Sequence, residues 1–345
     1  MEVVQMLVKE MVADISYYAP IKSRILNARE NFLTWGNSLP YPISEITLKL
    51  SKSNKDGPLP GAILGERYAF WIGELLGARE EIQQKVAIGC IAGFIYVIGQ
   101  DHCIDEETQT NLHEELLKNL LYAKLIQSFK SVTKDEDKFW HYFNEYLQEY
   151  TEGCLWESVE GRNPRLYSTQ NLKMVANRSA LVKNCVSSLA IATGKEREIL
   201  KYCSAIEQFV IGLQIRDDLA DLLEDLGGGR YTYPMSRLLE GNRANLFSLQ
   251  TAMLYTNTVE SLLDESTQYL RRTSGELNLP DSSALQSYID FIADENSIMK
   301  CAIVRIKDIR SLHSERVQPT ELPLDEKETV AWDEIHSVIL NDIQY

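Results

Sequence analysis

Five acids, Asp217, Asp218, Asp221, Glu224 and Asp225, crowd into nine residues directly after the apolar start of IGLQIRDDLADLLEDLGGGRYTYP (211–234). On an α-helix, residues four apart lie nearly above one another, drifting about 40° per step. Steps of four therefore join Ala205, Phe209, Leu213, Asp217, Asp221 and Asp225 into one slowly turning stripe, apolar at one end and acidic at the other. The same walk through YVIGQDHCIDEE joins Gly93, Val97, Asp101 and Asp105, with Cys90 and Phe94 beside it. Carboxylates spaced like this repel one another unless cations sit between them. Hard oxygen ligands suit Mg2+, which keeps waters and bridges to phosphates. Two helices that share this gradient would line a pocket with an apolar floor and an acidic mouth, fit for a ligand with an oily tail and a polyphosphate head.

Acid runs on helices are more often solvated faces, held by Lys or Arg at i±4. Here those partners are missing, and the cations near the run are Arg216 and Arg230. An unpaired acidic stripe that continues an apolar one makes a poor surface and a good metal site. Asp218 lies about 100° round the helix from Asp217, outside the stripe. Glu224 and Glu106 are alternatives to Asp225 and Asp105 within the same turns.

The elements that must carry these acids are helices. Apolar residues recur at three- and four-residue intervals along the chain, and short alternating runs bounded by turns are almost absent, so the fold class is all-α. Breaks fall at 51–65, 160–169, 227–234 and 275–283, where Pro, Gly, Ser and Asn concentrate, and none is long enough for an interdomain linker. We expect one helical catalytic domain over 1–313. Residues 314–345, polar and proline-broken before the amphipathic TVAWDEIHSVIL, read as a C-terminal extension: a lid, a docking helix or a disordered tail.

Composition narrows the function. The chain has 345 residues, a net charge of −15 and a pI near 4.9, and it lacks the clustered Lys and Arg that nucleic-acid phosphates require. The N-terminal apolar residues are interrupted by Glu2, Lys9, Glu10 and Asp14, unlike a signal peptide. No later stretch is expected to form the ~20-residue apolar run of a membrane span. The cysteines at 90, 103, 154, 185, 203 and 301 show no paired spacing, which suits a reduced, cytoplasmic protein.

These motifs resemble those of the isoprenoid synthase superfamily. QIRDDLADLLEDLGGGRYTYP resembles the second aspartate-rich motif of trans-isoprenyl diphosphate synthases, and YVIGQDHCIDEE the first. VANRSALVKNCVSSLAIATG (175–194) is similar to the stretch where the family carries a Lys-Thr pair against the diphosphate, with Arg178 and Ser179 in those places. The resemblance covers about residues 60–245 and implies a helical bundle around a central apolar cavity, three Mg2+ ions, a prenyl diphosphate substrate and a homodimer.

Departures from the pattern bear on the activity. Chain-elongating members carry a Gly-Lys-Arg-x-Arg stretch before the first motif and an Arg-Arg-Gly after it, to bind isopentenyl diphosphate. Here those places read PGAILGERYAFWIGELLG and DEETQTNLHEELL, with Arg67 as the remaining base. The looser first motif, Asp101 and Asp105, is closer to that of class I terpene synthases, and Asp217, Asp221 and Asp225 match their ligand spacing. The resemblance thus implies a terpene synthase that ionises a C15 to C25 prenyl diphosphate to a hydrocarbon or alcohol. A prenyl-elongating or prenyl-transferring homologue and a non-catalytic regulatory subunit are the alternatives.

In that scheme Asp101, Asp105, Asp217, Asp221 and Asp225 hold metal. Arg178 and Arg230 stabilise the leaving diphosphate, and Gln214 contacts the substrate. Phe94, Tyr96, Val97, Phe209 and Trp156 line the pocket, where aromatic faces steady a carbocation.

Overall fold

The computed structural model describes residues 21–51, 62–105, 112–133 and 136–313. Among these residues the regular structure is helical throughout: α1 (Lys22–Asn37), α2 (Ile43–Ser51), α3 (Ala62–Leu75), α4 (Glu80–Asp105), α5 (Leu112–Lys130), α6 (Glu136–Val159), α7 (Thr169–Asn177), α8 (Lys183–Thr193), α9 (Ile199–Ala220), α10 (Leu222–Gly227), α11 (Tyr233–Leu238), α12 (Leu246–Tyr255), α13 (Thr258–Leu277) and α14 (Ala284–His313), with 3-10 turns at Ala180–Val182 and Glu196–Glu198. The all-α expectation holds. The C-terminal extension and Glu106 lie outside the described residues.

The chain sorts into two compact units. Among the described residues, the first holds those up to Cys154 with Arg178–Ser204 and Pro280–Ser287; the second holds Leu155–Asn177, Ala205–Leu279 and residues 288–313.

In the first unit α4 is the axis, packed against α1, α3, α5 and α8. Its small residues set the spacing: a Cβ on Gly93 would stand 2.5 Å from Leu125 Cδ1 of α5, so the two backbones approach as a larger residue would not allow. One expectation needs correcting here. Residues Glu80–Gln100 reach the length and hydropathy of a membrane span over 21 residues, and half of the apolar window is buried inside the protein. The apolar run serves α4 as a core helix does, because its neighbours cover it on several sides.

The second unit is built on α9 and α13. Ser266 Oγ donates to Gly212 O (2.6 Å) and Thr273 Oγ1 to Ala205 O (3.1 Å), seven residues apart on each helix and in opposite order. The two helices are therefore antiparallel, their register fixed by hydroxyls buried between them. Ile211, Ile215, Leu219, Leu222, Met235, Leu249, Met253 and Leu262 form the core around them. This packing decides which face of α9 turns inward.

Candidate metal and diphosphate site

The α9 stripe starts in the core and leaves it. Ala205 and Phe209 are buried, Leu213 is half-buried, and Asp217 is exposed. The expected single helix then breaks. Asp221 adopts φ −89°, ψ 9° and begins α10 as its N-cap without using its side chain to cap. The four-residue spacing survives the break, because Asp221 N–H donates to Asp217 O (3.0 Å) and Asp225 N–H to Asp221 O (2.8 Å). Past the joint the stripe turns back inward: Asp221 is half-buried and Asp225 is 5% exposed.

α10 closes with a turn that glycine makes possible. Gly229 adopts a left-handed φ of 68°, so that Gly229 N–H reaches Leu226 O (3.3 Å) and Arg230 N–H reaches Asp225 O (2.8 Å). This is the Schellman arrangement, which satisfies the last helical carbonyls. It also folds Arg230 back on the helix it follows. Arg230 Nε donates to Asp225 Oδ1 at 2.7 Å, and its Nη2 lies 3.4 Å from Glu224 Oε1.

Arg216, the other flanking cation, is buried and pairs with Glu295 of α14 at 3.0 Å. Arg230 engages one oxygen of Asp225; the other, Oδ2, is buried with no hydrogen-bond partner. Burial, then the charges of Asp217 and Glu224, push Asp221 up to about 6 against the pull of Arg230. Asp225 is pushed up to about 7 by burial, opposed by the charge and hydrogen bond of Arg230, with Asp221 and Glu224 adding to the rise. A further positive charge at this ladder would be strongly stabilised.

Among the described residues no three His, Cys, Asp or Glu side chains already converge as a preformed metal cage. The donor set nevertheless fits a hard cation: carboxylates one turn apart, with an orphaned buried oxygen at Asp225. Such a set supplies part of a shell, as suits an ion that takes its other oxygens from water and phosphate.

Other predicted residues fall as follows. In the second unit Gln214 Nε2 donates to Asp218 Oδ1 at 2.7 Å, so both turn toward each other, and Asp218 is buried. Phe209 is 1% exposed with its ring 6.0 Å from Tyr288, and Trp156 packs edge-on to Tyr167 at 5.5 Å beneath Arg165. In the first unit, Asp101 and Asp105 form the last turn of α4. Phe94 lies against Gly65 of α3, and the Tyr96 ring lies 5.3 Å from that of Tyr122, tilted by 38°. Tyr96 and Val97 flank a small cluster of Tyr150, Ala180 and Leu181. Arg178 is half-buried in the turn before Ala180–Val182. A shallow cavity of about 600 Å³ in this unit, lined by Gly194–Glu198 and Tyr202, carries none of these residues.

Sequence reading passed over a ring of tyrosines in the second unit. Tyr167, Tyr231 and Tyr233 pack with centroids 6.2–6.4 Å from Tyr167, and the Tyr167 O–H donates to Tyr231 O. The one signal was the aromatic repeat in RYTYP, since no helical period links positions 64 apart.

Set beside solved structures, the chain has the all-α fold of isoprenyl diphosphate synthases. It is similar to a geranylgeranyl pyrophosphate synthetase from the archaeon Geoglobus acetivorans (TM-score 0.63, 19% identity, covering 82% of this chain and 98% of that one). It is also similar to a decaprenyl diphosphate synthase from Rhodobacter capsulatus (TM-score 0.65, 15% identity, 81% and 98%). A third likeness is to a geranylgeranyl pyrophosphate synthetase from Pyrococcus horikoshii (TM-score 0.62, 15% identity, 81% and 98%). No protein-family model and no curated protein matches the sequence.

Proposed function

We propose that the protein binds an allylic prenyl diphosphate with Mg2+, ionises its C–O bond, and passes the prenyl cation to an acceptor, as a prenyl-transferring homologue of isoprenyl diphosphate synthases. The observation that carries the diphosphate reading is the acid ladder Asp217, Asp221 and Asp225, at whose buried end Arg230 meets one oxygen of Asp225 and leaves the other without a hydrogen-bond partner. Prenyl transfer is favoured over the cyclisation expected from the motifs because the similar solved structures are named as synthases of prenyl diphosphates.

When bound, Mg2+ supplies the positive charge that draws electron density into the leaving diphosphate. Asp217, Asp221 and Asp225 would hold it, and the sequence resemblance implies Asp101 and Asp105 as further ligands and three ions in all. Arg230 gives guanidinium N–H donors to the phosphate oxygens from a backbone already fixed by its turn. Arg178 is the second proposed donor. Gln214 keeps Asp218 turned away from the metal-facing stripe.

One observation favours a second reading, a terpene synthase acting on a C15 to C25 substrate. The basic clusters for a second diphosphate are absent, and their remaining base, Arg67, is 5% exposed and lies within charge reach of buried Glu66. Incubation with Mg2+ and C10 to C25 prenyl diphosphates, with and without isopentenyl diphosphate, separates the readings. Longer diphosphates formed only with isopentenyl diphosphate support transfer. Hydrocarbons or alcohols formed regardless of it support cyclisation. Inactivity on every substrate, with no Mg-dependent binding of a diphosphate, would overturn both and leave a regulatory subunit.

A further inference from the structure

The loop that carries Arg230 is held from outside its own helix. Tyr231 N–H donates to Gly161 O at 2.7 Å, and Tyr231 O accepts the Tyr167 hydroxyl. Both backbone polar groups of the residue after Arg230 are therefore fixed by the segment between α6 and α7. Tyr167 is fixed in turn: its N–H donates to Ser236 Oγ of α11 at 2.7 Å, and its ring packs on Trp156, Tyr231 and Tyr233. It is 8% exposed. Burial, then the charge of Asp218, hold the phenol protonated well above the usual range, so it remains a donor at any working pH.

We propose that Tyr167 is a positioning residue for the diphosphate site, acting through the Tyr231 carbonyl to hold the Arg230 loop so that the guanidinium stays against the acid ladder. On one side Arg230 is tied by the Schellman bond to Asp225 O, and on the other by the Gly161 and Tyr167 bonds to Tyr231. Its backbone is hydrogen-bonded on both sides, so that side-chain rotation suffices to exchange Asp225 for a phosphate oxygen. Such preorganisation spares the ordering cost at binding. Loss of the phenol O–H leaves a carbonyl of the 3%-exposed Tyr231 without that donor, and the loop loosens.

This inference rests on the reading that Arg230 meets a diphosphate, so the test separates the two. Inorganic diphosphate is titrated calorimetrically with Mg2+ into the full chain as wild type, Tyr167→Phe, Arg230→Gln and the double variant. Tyr167→Phe keeps the ring and its packing, and far-ultraviolet circular dichroism reports that the fold is retained. The expected result is about tenfold weaker binding for Tyr167→Phe, from one lost hydrogen bond of about 1.5 kcal/mol. In the Arg230→Gln background it has no further effect. A purely structural role would weaken both backgrounds equally and overturn the inference, as would unchanged affinity in Tyr167→Phe. Wild-type protein that binds no Mg-diphosphate would overturn the functional reading, and this inference with it.

Discussion

Glu66 and Asp225 are both buried carboxylates met by arginine, yet they are satisfied to different degrees. In the first unit Glu66 is 1% exposed and both its oxygens are taken by Arg29: Nε donates to Oε2 at 2.7 Å and Nη2 to Oε1. Burial raises its affinity for a proton, and the charges of Arg29 and Arg67 oppose that rise. Here two cations serve one acid, and the result ties α1 to α3. In the second unit Asp225 receives Arg230 on one oxygen only, and its other charged neighbours are the acids Asp221 and Glu224. The contrast separates a closed structural ion pair from one that leaves room for a further cation. The unmet Oδ2 of Asp225 is where a further cation would be accommodated.

The largest expected effect breaks the open site. Asp221→Ala should lower Mg-dependent turnover of a prenyl diphosphate by about 10³-fold, about 4 kcal/mol of barrier, while the metal-free melting temperature holds or rises. Steady-state kinetics beside thermal melts would check it. At the closed site the signature inverts: Glu66→Ala removes the carboxylate that Arg29 meets with two hydrogen bonds and should cost about 3 kcal/mol of unfolding free energy in urea, with diphosphate affinity unchanged. Arg230→Gln should raise KM about tenfold or more, as for one charge-assisted hydrogen bond of about 1.5 kcal/mol or above.

A smaller effect is readable with pH. Asp221, near 6, and Asp225, near 7, are raised above the ordinary ~3.9, so in the folded metal-free protein they keep protons that the unfolded chain has released. Their contribution to stability is fully present below about pH 4 and is lost as pH rises through 6 to 7. The melting temperature in a chelator should therefore fall between pH 5 and 7.5, and Asp225→Asn should flatten that slope. An unchanged slope would show that Asp225 ionises normally. Smallest of all, Gln214→Ala removes the donor to Asp218 and should weaken substrate binding a few-fold, about 1 kcal/mol, in the same kinetic assay.

Local chemistry was readable in the sequence where it depends on spacing. The helical class, the stripe from Ala205 to Asp225 and the missing i±4 cations are periodic facts, and they survive in the fold. The break at Asp221 was not legible: LADLLED has no Gly or Pro, and the kink arises where α9 stays locked on α13 while the chain continues into a short separate helix. Nor could the sequence say which arginine faces the acids, since Arg216 is claimed by Glu295, 79 residues away. Glycines 227–229 signalled a turn, but only the left-handed Gly229 shows why Arg230 lands on Asp225. The role of Tyr167 depends on contacts with Tyr231 and Ser236 that no local pattern encodes.

The central claim is that the acid ladder holds a diphosphate through Mg2+, and its most direct measurement is calorimetric titration of inorganic diphosphate into the protein near pH 6.5. Titrations are run with and without Mg2+, in two buffers of different ionisation enthalpy, on wild type and Asp221→Ala. Binding is expected only with Mg2+, accompanied by net proton release from the acids and lost in Asp221→Ala. Equally tight binding without Mg2+, or binding undiminished in Asp221→Ala, would contradict it.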